Sequence, residues 1–393
     1  MQIGIIGKPN VGKSSFFKAI TSIDVKIENR PFTTISSNFG IGYVRVEEIG
    51  KELGVVSNPK SGFIKGKYRF VPIELIDVPG LVPNAYLGKG LGNKFLDDLR
   101  KANGFVLIID ISGSTDENGN FIGKNCFDPL KDVEFVINEI DMWIFQILKR
   151  NLEKNIKRIK SEKKKISEEI SKIVSGLEIK REDVEKCLKD LKIDEHFYDF
   201  DDETILKIAK KLRETKKFVI AANKIDVDID LAKENIKKIK KVYENIIPIS
   251  CLAEIFLKEL ERQGKIDYVY GTDEIKIKSE LNEKEKKAME IVKQILEEFK
   301  STGIYQTLEH LIFNLLEYIP VFPVGEKLKD KEGRILPDCF LVKKGTKVIE
   351  LAEMIHSDLA KNFVKAIEVK SRNFVGKDYE LKPYDVIQII SSK

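Results

Sequence analysis

The sequence predicts an α/β protein: a phosphate-binding sheet domain, interrupted by a long helical insert and followed by a small mixed-sheet module. Three observations predict it. An apolar run, Ile3 to Ile6, leads through Gly7-Lys8-Pro9-Asn10-Val11-Gly12-Lys13-Ser14 into a helix-like segment, which gives strand, glycine-rich loop and helix in order. A second buried-strand run, Gly104 to Ile111, should be followed after one helix by another parallel strand, yet the next such run starts only at Phe218. Residues 318–393 then change to short strand-like runs around one helix.

The loop after the first strand carries the clearest chemistry. Gly7 and Gly12 let the backbone wrap a polyphosphate, so that successive N–H groups and the next helix's N-terminus face anionic oxygens. Lys13 adds a point charge at the β- and γ-phosphates, and the Ser14 hydroxyl can ligate Mg²⁺. Gly7, Lys8, Pro9, Asn10, Val11, Gly12, Lys13, Ser14 and Ser15 are therefore candidate nucleotide contacts.

Three later segments follow predicted strands. Asp77-Val78-Pro79-Gly80 closes the run Phe70 to Ile76; Asp77 there can hold Mg²⁺ through water, and the Gly80 N–H can meet a γ-phosphate. Asn223-Lys224-Ile225-Asp226 closes Phe218 to Ala222. Asp226 can accept two hydrogen bonds from guanine, one of them from an exocyclic amine that adenine lacks, and a site built on such bonds rejects the analogue without them. Ser250-Cys251-Leu252-Ala253-Glu254 closes Ile246 to Ile249 and suits a loop beside the base. Each segment alone is an ordinary turn. All four in this order, at the carboxyl ends of strands where open α/β sheets bind ligands, form a pattern.

With Arg30-Pro31-Phe32-Thr33-Thr34, Asn38-Phe39-Gly40, the run Asp77 to Pro83 and Gly88-Lys89-Gly90-Leu91-Gly92-Asn93-Lys94-Phe95-Leu96, the chain resembles the Obg-like GTPases, specifically their YchF-type translation-associated branch, over nearly its whole length. The resemblance implies a Ras-like P-loop GTPase domain with an inserted helical coiled-coil arm and a C-terminal β-grasp (TGS) domain. The expected bounds are 1–128 with 218–317, then 129–217, then 318–393. It places Thr34 with Ser14 and Asp77 around Mg²⁺, and Phe32 and Thr33 at the nucleotide. Relatives in this branch often carry Glu where Asp226 stands and prefer ATP; the Asp here favours GTP.

Composition narrows the setting. No apolar run approaches the roughly 20 residues of a membrane span, and the N-terminus runs straight into a strand, so no membrane partner and a cytoplasmic location are expected. Cys126, Cys187, Cys251 and Cys339 are dispersed, as are the three histidines, which suits reduced thiols and does not support zinc.

Within the insert, apolar residues recur at spacings of three and four from Val133 to Leu177. That predicts a coiled-coil arm whose helix of about 45 residues would reach roughly 65 Å. Segments 180–191 and 202–214 are candidate return helices. Between Lys149 and Lys172 lie ten basic residues against four acidic ones, an excess of six in a chain of net charge +5. This is either a solvated helix face or a surface for rRNA or another phosphate backbone on the ribosome. In the last module Thr346 is a candidate cap for a helix from Ile349 to His356; no catalytic cluster is evident there.

The expected reaction is hydrolysis of GTP to GDP and phosphate, with Lys13, Thr34, Gly80 and Asn10 as the catalytic set. Leu81 stands where many small GTPases carry a water-orienting Gln, so turnover at or below roughly 10⁻⁴ to 10⁻³ s⁻¹ is expected. Asn10 either helps hold K⁺ beside the phosphates or only stabilises the loop. An ATPase of the same architecture, and an RNA-binding scaffold with a structural nucleotide site, are the alternatives.

Overall fold

The computed structural model describes residues 1–21, 39–78, 80–81, 83, 100, 102–177 and 179–392. Strands β1 (Gln2–Ile6), β2 (Phe39–Glu47), β3 (Phe63–Lys65), β4 (Tyr68–Asp77), β5 (Gly104–Asp110), β6 (Phe218–Asn223) and β7 (Ile246–Pro248) form one sheet, ordered β2-β4-β1-β5-β6-β7 with β3 on β4. From β4 to β7 the strands run parallel, while β2 and β3 pair antiparallel to β4. Central β5, Gly-Phe-Val-Leu-Ile-Ile-Asp, is buried at every residue because both sheet faces are covered. Its side chains alternate: Val106 and Ile108 join a core under helix α1 (Lys13–Thr21), whereas Leu107 and Ile109 join the core on the other face.

That second core continues without a break into the insert. Helix α2 (Pro129–Ser161) starts where Asp128 caps the Leu130 N–H and Pro129 sits in the first turn. It is followed by α3 (Ile166–Val174), α4 (Arg181–Asp190) and α5 (Asp202–Arg213). The single helix of about 45 residues is therefore corrected to one of 33, followed by a reversal. The chain leaves the helix after Ser161, with Lys163 at φ 50°, so that Ile166 and Ile170 fold back into the cluster holding Leu152 and Ile159. Apolar spacing of three and four is the same for a continuous helix and for one bent back on itself, so the sequence pattern does not separate them. The return helices form as expected, and α2 packs along α5 and against α3.

Beyond β6 come α6 (Ile229–Lys240), α7 (Cys251–Arg262), a hairpin of β8 (Ile266–Tyr268) and β9 (Ile275–Ile277), and α8 (Glu283–Phe299). Then α9 (Ile304–Glu309) runs on as a π-helical turn, His310–Leu315, buried against the first core. It ends before Tyr318 because Glu317 turns to φ 55°.

Strands β10 (Tyr318–Val324) and β11 (Phe340–Lys343), helices α10 (Val348–Ile355) and α11 (Ser357–Lys361), and strands β12 (Phe363–Glu368), β13 (Asn373–Val375) and β14 (Val386–Ser391) make the C-terminal module. Its mixed sheet has the order β11-β10-β14-β12-β13, and α10 covers one face through Val348, Leu351 and Ala352. Thr346 does not cap α10. The cap position is Lys347, one residue after Thr346, and its N–H donates to Glu350 at 2.6 Å; the helix itself begins at Val348, one residue before the expected Ile349. The module is tied to the first sheet by the buried Arg69, which donates to the carbonyls of Leu336 and Pro337 at 2.7 and 2.6 Å. No helix among the described residues is long and apolar enough to cross a membrane.

Candidate functional site

The loop between β1 and α1 needs its glycines for stated reasons. Gly7 has φ 149°, and a β-carbon there would lie 2.4 Å from the Ile108 carbonyl oxygen. Gly12 has φ 105°, with the Asn223 Nδ2 only 2.1 Å from where its β-carbon would stand. Phe16 N donates to Gly12 O at 2.8 Å, so α1 begins at the loop and leaves the exposed Ser14 and half-buried Ser15 in its first turn. N–H groups of that turn are the ones an anion meets.

Asn223, at the end of β6, joins the phosphate loop to the loop after β7. Its Nδ2 donates to Val11 O at 2.7 Å, and its Oδ1 accepts from Cys251 N at 3.2 Å. Asp226 is half-buried, and one carboxylate oxygen accepts from the Ser250 hydroxyl at 2.6 Å. Ser250 also caps α7 by accepting from Ala253 N. The structure thus brings Gly12, Asn223, Asp226, Ser250 and Cys251 into one contiguous site.

Lys13 bends over the loop and donates to Lys8 O at 2.8 Å; its Nζ also lies beside Gly80. Burial pulls Lys13 down to about 8, against the opposing pull of Asp77. Asp77, at the end of β4, is pushed up by burial and only partly held down by Lys13. A carboxylate with that shortage of positive charge, together with the exposed Ser14 hydroxyl, fits a hard divalent cation.

Several predicted contacts can offer only backbone groups. Val11 and Val78 are core residues, and the Cys251 side chain is 1% exposed with its thiol pushed well up by burial. Lys8 does not face the phosphate side. Its ammonium is buried beneath the loop against Asp132 at 2.7 Å, donates to Thr115 O and lies over the Phe127 ring. Leu81 is also core, with its N–H on Gly7 O at 3.1 Å. Leu252 is 62% exposed. Asn10, at φ 62°, donates from Nδ2 to Gly119 O at 2.9 Å, an arrangement that suits the loop-stabilising role. Phe32, Thr33, Thr34 and Pro79 lie outside the described residues.

Sequence reasoning missed a polar hub under the site. Asp110 at the end of β5 accepts from the hydroxyls of Ser112, Ser114 and Thr115 and from Lys224 Nζ at 2.8 Å. Burial opposes its ionisation, but bonds from Lys224, Ser112 and Ser114 outweigh this and hold it below the usual carboxylate range. Lys224, at φ 72°, is thereby fixed within the segment Asn223 to Asp226. An Asp at a strand end followed by Ile-Ser-Gly-Ser-Thr is a side-chain turn signal that was available in the sequence. The Lys8–Asp132 pair had no such signal, since its partners are 124 positions apart. Among the described residues no group of three or more His, Cys, Asp or Glu is arranged to hold a metal.

Comparison with known proteins agrees with this geometry. Residues 2–224 match the family described as 50S ribosome-binding GTPase, residues 221–326 the G4 motif-containing domain of Obg-like GTPases of the YGR210-like type, and residues 321–391 the TGS domain. A GTP-binding protein of Methanocaldococcus jannaschii is 42% identical, covering 99% of both chains. A protein of Buchnera aphidicola named as the ribosome-binding ATPase YchF is 28% identical, covering 96% of this chain and 91% of its own. The crystal structure of a GTP-binding protein from Pyrococcus horikoshii superposes with a TM-score of 0.79 at 33% identity, covering all of both chains.

Proposed function

This chain belongs to the Obg-like GTPases of the YchF type, and from that premise we propose that it is a slow GTP switch that works on the ribosome. The observation that carries the nucleotide reading is the pair of hydrogen bonds joining Asn223 to Val11 and Cys251, which supports a phosphate cradle and a base-reading loop held together as one site. Such preorganisation lets the site act on charge without reorganising at the moment of reaction. Asp226, aimed by Ser250, reads guanine. Lys13 swings from the Lys8 carbonyl to the β- and γ-phosphates, and the Gly80 N–H meets the γ-phosphate. Mg²⁺, when bound, neutralises charge on the phosphate oxygens, and Ser14, Asp77 and Thr34 would hold it. Leu81, turned into the core, cannot orient water, so turnover is slow.

Ribosome binding is carried by the charge on α2 and the turn after it. Lys149, Arg158, Lys164 and Lys172 are paired with Asp202, Glu169, Glu162 and Glu169. Arg150, Lys154, Lys157, Lys160, Lys163 and Lys165 are exposed and have no ion-pair partner among the described residues. They suit an RNA backbone, with the TGS module as a second contact. GTP hydrolysis is tested by phosphate release with GTP against ATP. Co-sedimentation with ribosomes over a salt series tests the surface. Changing Lys154, Lys157, Lys160 and Lys165 to Glu should weaken binding and flatten the log–log salt slope by about 0.7 to 0.9 per lost contact. Wild-type strength and slope in that variant would mean a merely solvated face.

A further inference from the structure

Asp226 is aimed by Ser250, and Ser250 is held from outside its own loop. Its N–H donates at 3.0 Å to the carbonyl of Thr302, in the turn between α8 and α9. That turn sits so close that a β-carbon on Gly303, at φ 80°, would lie 1.9 Å from Pro248 O. The turn is fastened by Glu254 in the first turn of α7, whose N–H donates to Ser250 O at 3.2 Å. Glu254 is fully buried, and its Oε2 accepts from the hydroxyls of Thr302 at 2.5 Å and Tyr268 at 2.8 Å. One buried carboxylate therefore clasps the 302–303 turn and the β8–β9 hairpin to the loop that presents Asp226. A carboxylate taken fully out of water is retained only when its partners hold it in place.

We infer that Glu254 is a positioning residue for base selection: through Thr302 it fixes Ser250, and through Ser250 the angle of the Asp226 carboxylate. The inference rests on Asp226 being the guanine-reading group. Two bonds to guanine need both carboxylate oxygens in the plane of the base, so a loosened Ser250 weakens recognition of the exocyclic amine before it weakens phosphate binding. Glu254 is fully buried against Thr302 and Tyr268, so its effect falls on discrimination.

The experiment compares GDP with IDP, which has the same phosphates and ring N–H but lacks the exocyclic amine. Affinities of both are measured by calorimetry for the full chain and for Asp226→Ala, Glu254→Ala, Glu254→Gln and Thr302→Val, with circular dichroism to verify folding. Wild type should prefer GDP, and Asp226→Ala should lose the preference. Glu254→Ala should reduce the GDP-to-IDP ratio about tenfold while IDP affinity stays within about threefold of wild type. Thr302→Val, which keeps shape and removes one donor, should reduce the ratio by a smaller factor and serves alone if Glu254→Ala does not fold. Glu254→Gln, still able to accept both hydroxyls, should restore most of it. If Asp226→Ala loses discrimination while Glu254→Ala or Thr302→Val keeps the wild-type ratio, Glu254 is only structural and the inference fails. If wild type itself does not separate GDP from IDP, the guanine reading fails and takes this inference with it.

Discussion

Replacing Asn223 by Ala should disable the nucleotide site from its centre. The side chain is 3% exposed and satisfies two backbone groups, Val11 C=O at 2.7 Å and Cys251 N–H at 3.2 Å. Leaving a buried polar group without its partner costs about 1 to 3 kcal/mol, and the longer bond to Cys251 belongs at the low end. About 3 kcal/mol for the pair is a reasonable working sum. Neither bond involves ligand, so part of this appears as lost stability and part as the work of reassembling the loops around a nucleotide. If about half falls on binding, the Kd for GDP rises roughly tenfold. Asn223→Asp should be at least as damaging, because it keeps the acceptor for Cys251 but sets a carboxylate oxygen against the Val11 carbonyl. Calorimetric titration with GDP and urea denaturation of both variants make the measurement. A folded Asn223→Ala protein with wild-type GDP affinity and stability would refute the claim that this residue assembles the site.

Three further outcomes follow from the same geometry. Lys13 sits at about 8 in the free protein, below the 10.5 of an ordinary lysine, so between those values the unfolded chain holds a proton that the folded one lacks; this group makes stability rise with pH across that window. Bound polyphosphate restores the charge, so GDP binding should take up protons and weaken as pH passes about 8, and titration in buffers of different ionisation heat should show no uptake if the assignment is wrong. Asp226→Asn exchanges an acceptor for a donor and should move preference from guanine to xanthine nucleotides, read as a reversal of the GDP-to-XDP affinity ratio. Because Asn10 is already tied to Gly119, exchanging K⁺ for Na⁺ should leave phosphate release unchanged; a several-fold fall in Na⁺ that vanishes in Asn10→Ala would instead make Asn10 a potassium ligand.

The site elements were legible in sequence because each is a local device. Gly7 and Gly12 take backbone angles that a side chain resists, Asn223 and Asp226 stand directly at a strand's end, and Ser250 caps the helix that follows it. Spacing within ten residues suffices to specify such features. The small mixed-sheet module and the return helices of the insert were equally readable from strand and helix periods, while the module's TGS character came from family resemblance. Tertiary structure decided whatever depends on partners distant in the chain. It chose the reversal at Lys163 over a straight helix, since apolar spacing is blind to a bend and only burial of Ile166 and Ile170 against Ile159 distinguishes the two. It turned Lys8 away from the phosphates, because a buried ammonium needs its counterion and Asp132 waits beneath the loop. It also joined Glu254 to Thr302 behind Ser250, through a contact between residues 48 positions apart that no local pattern encodes.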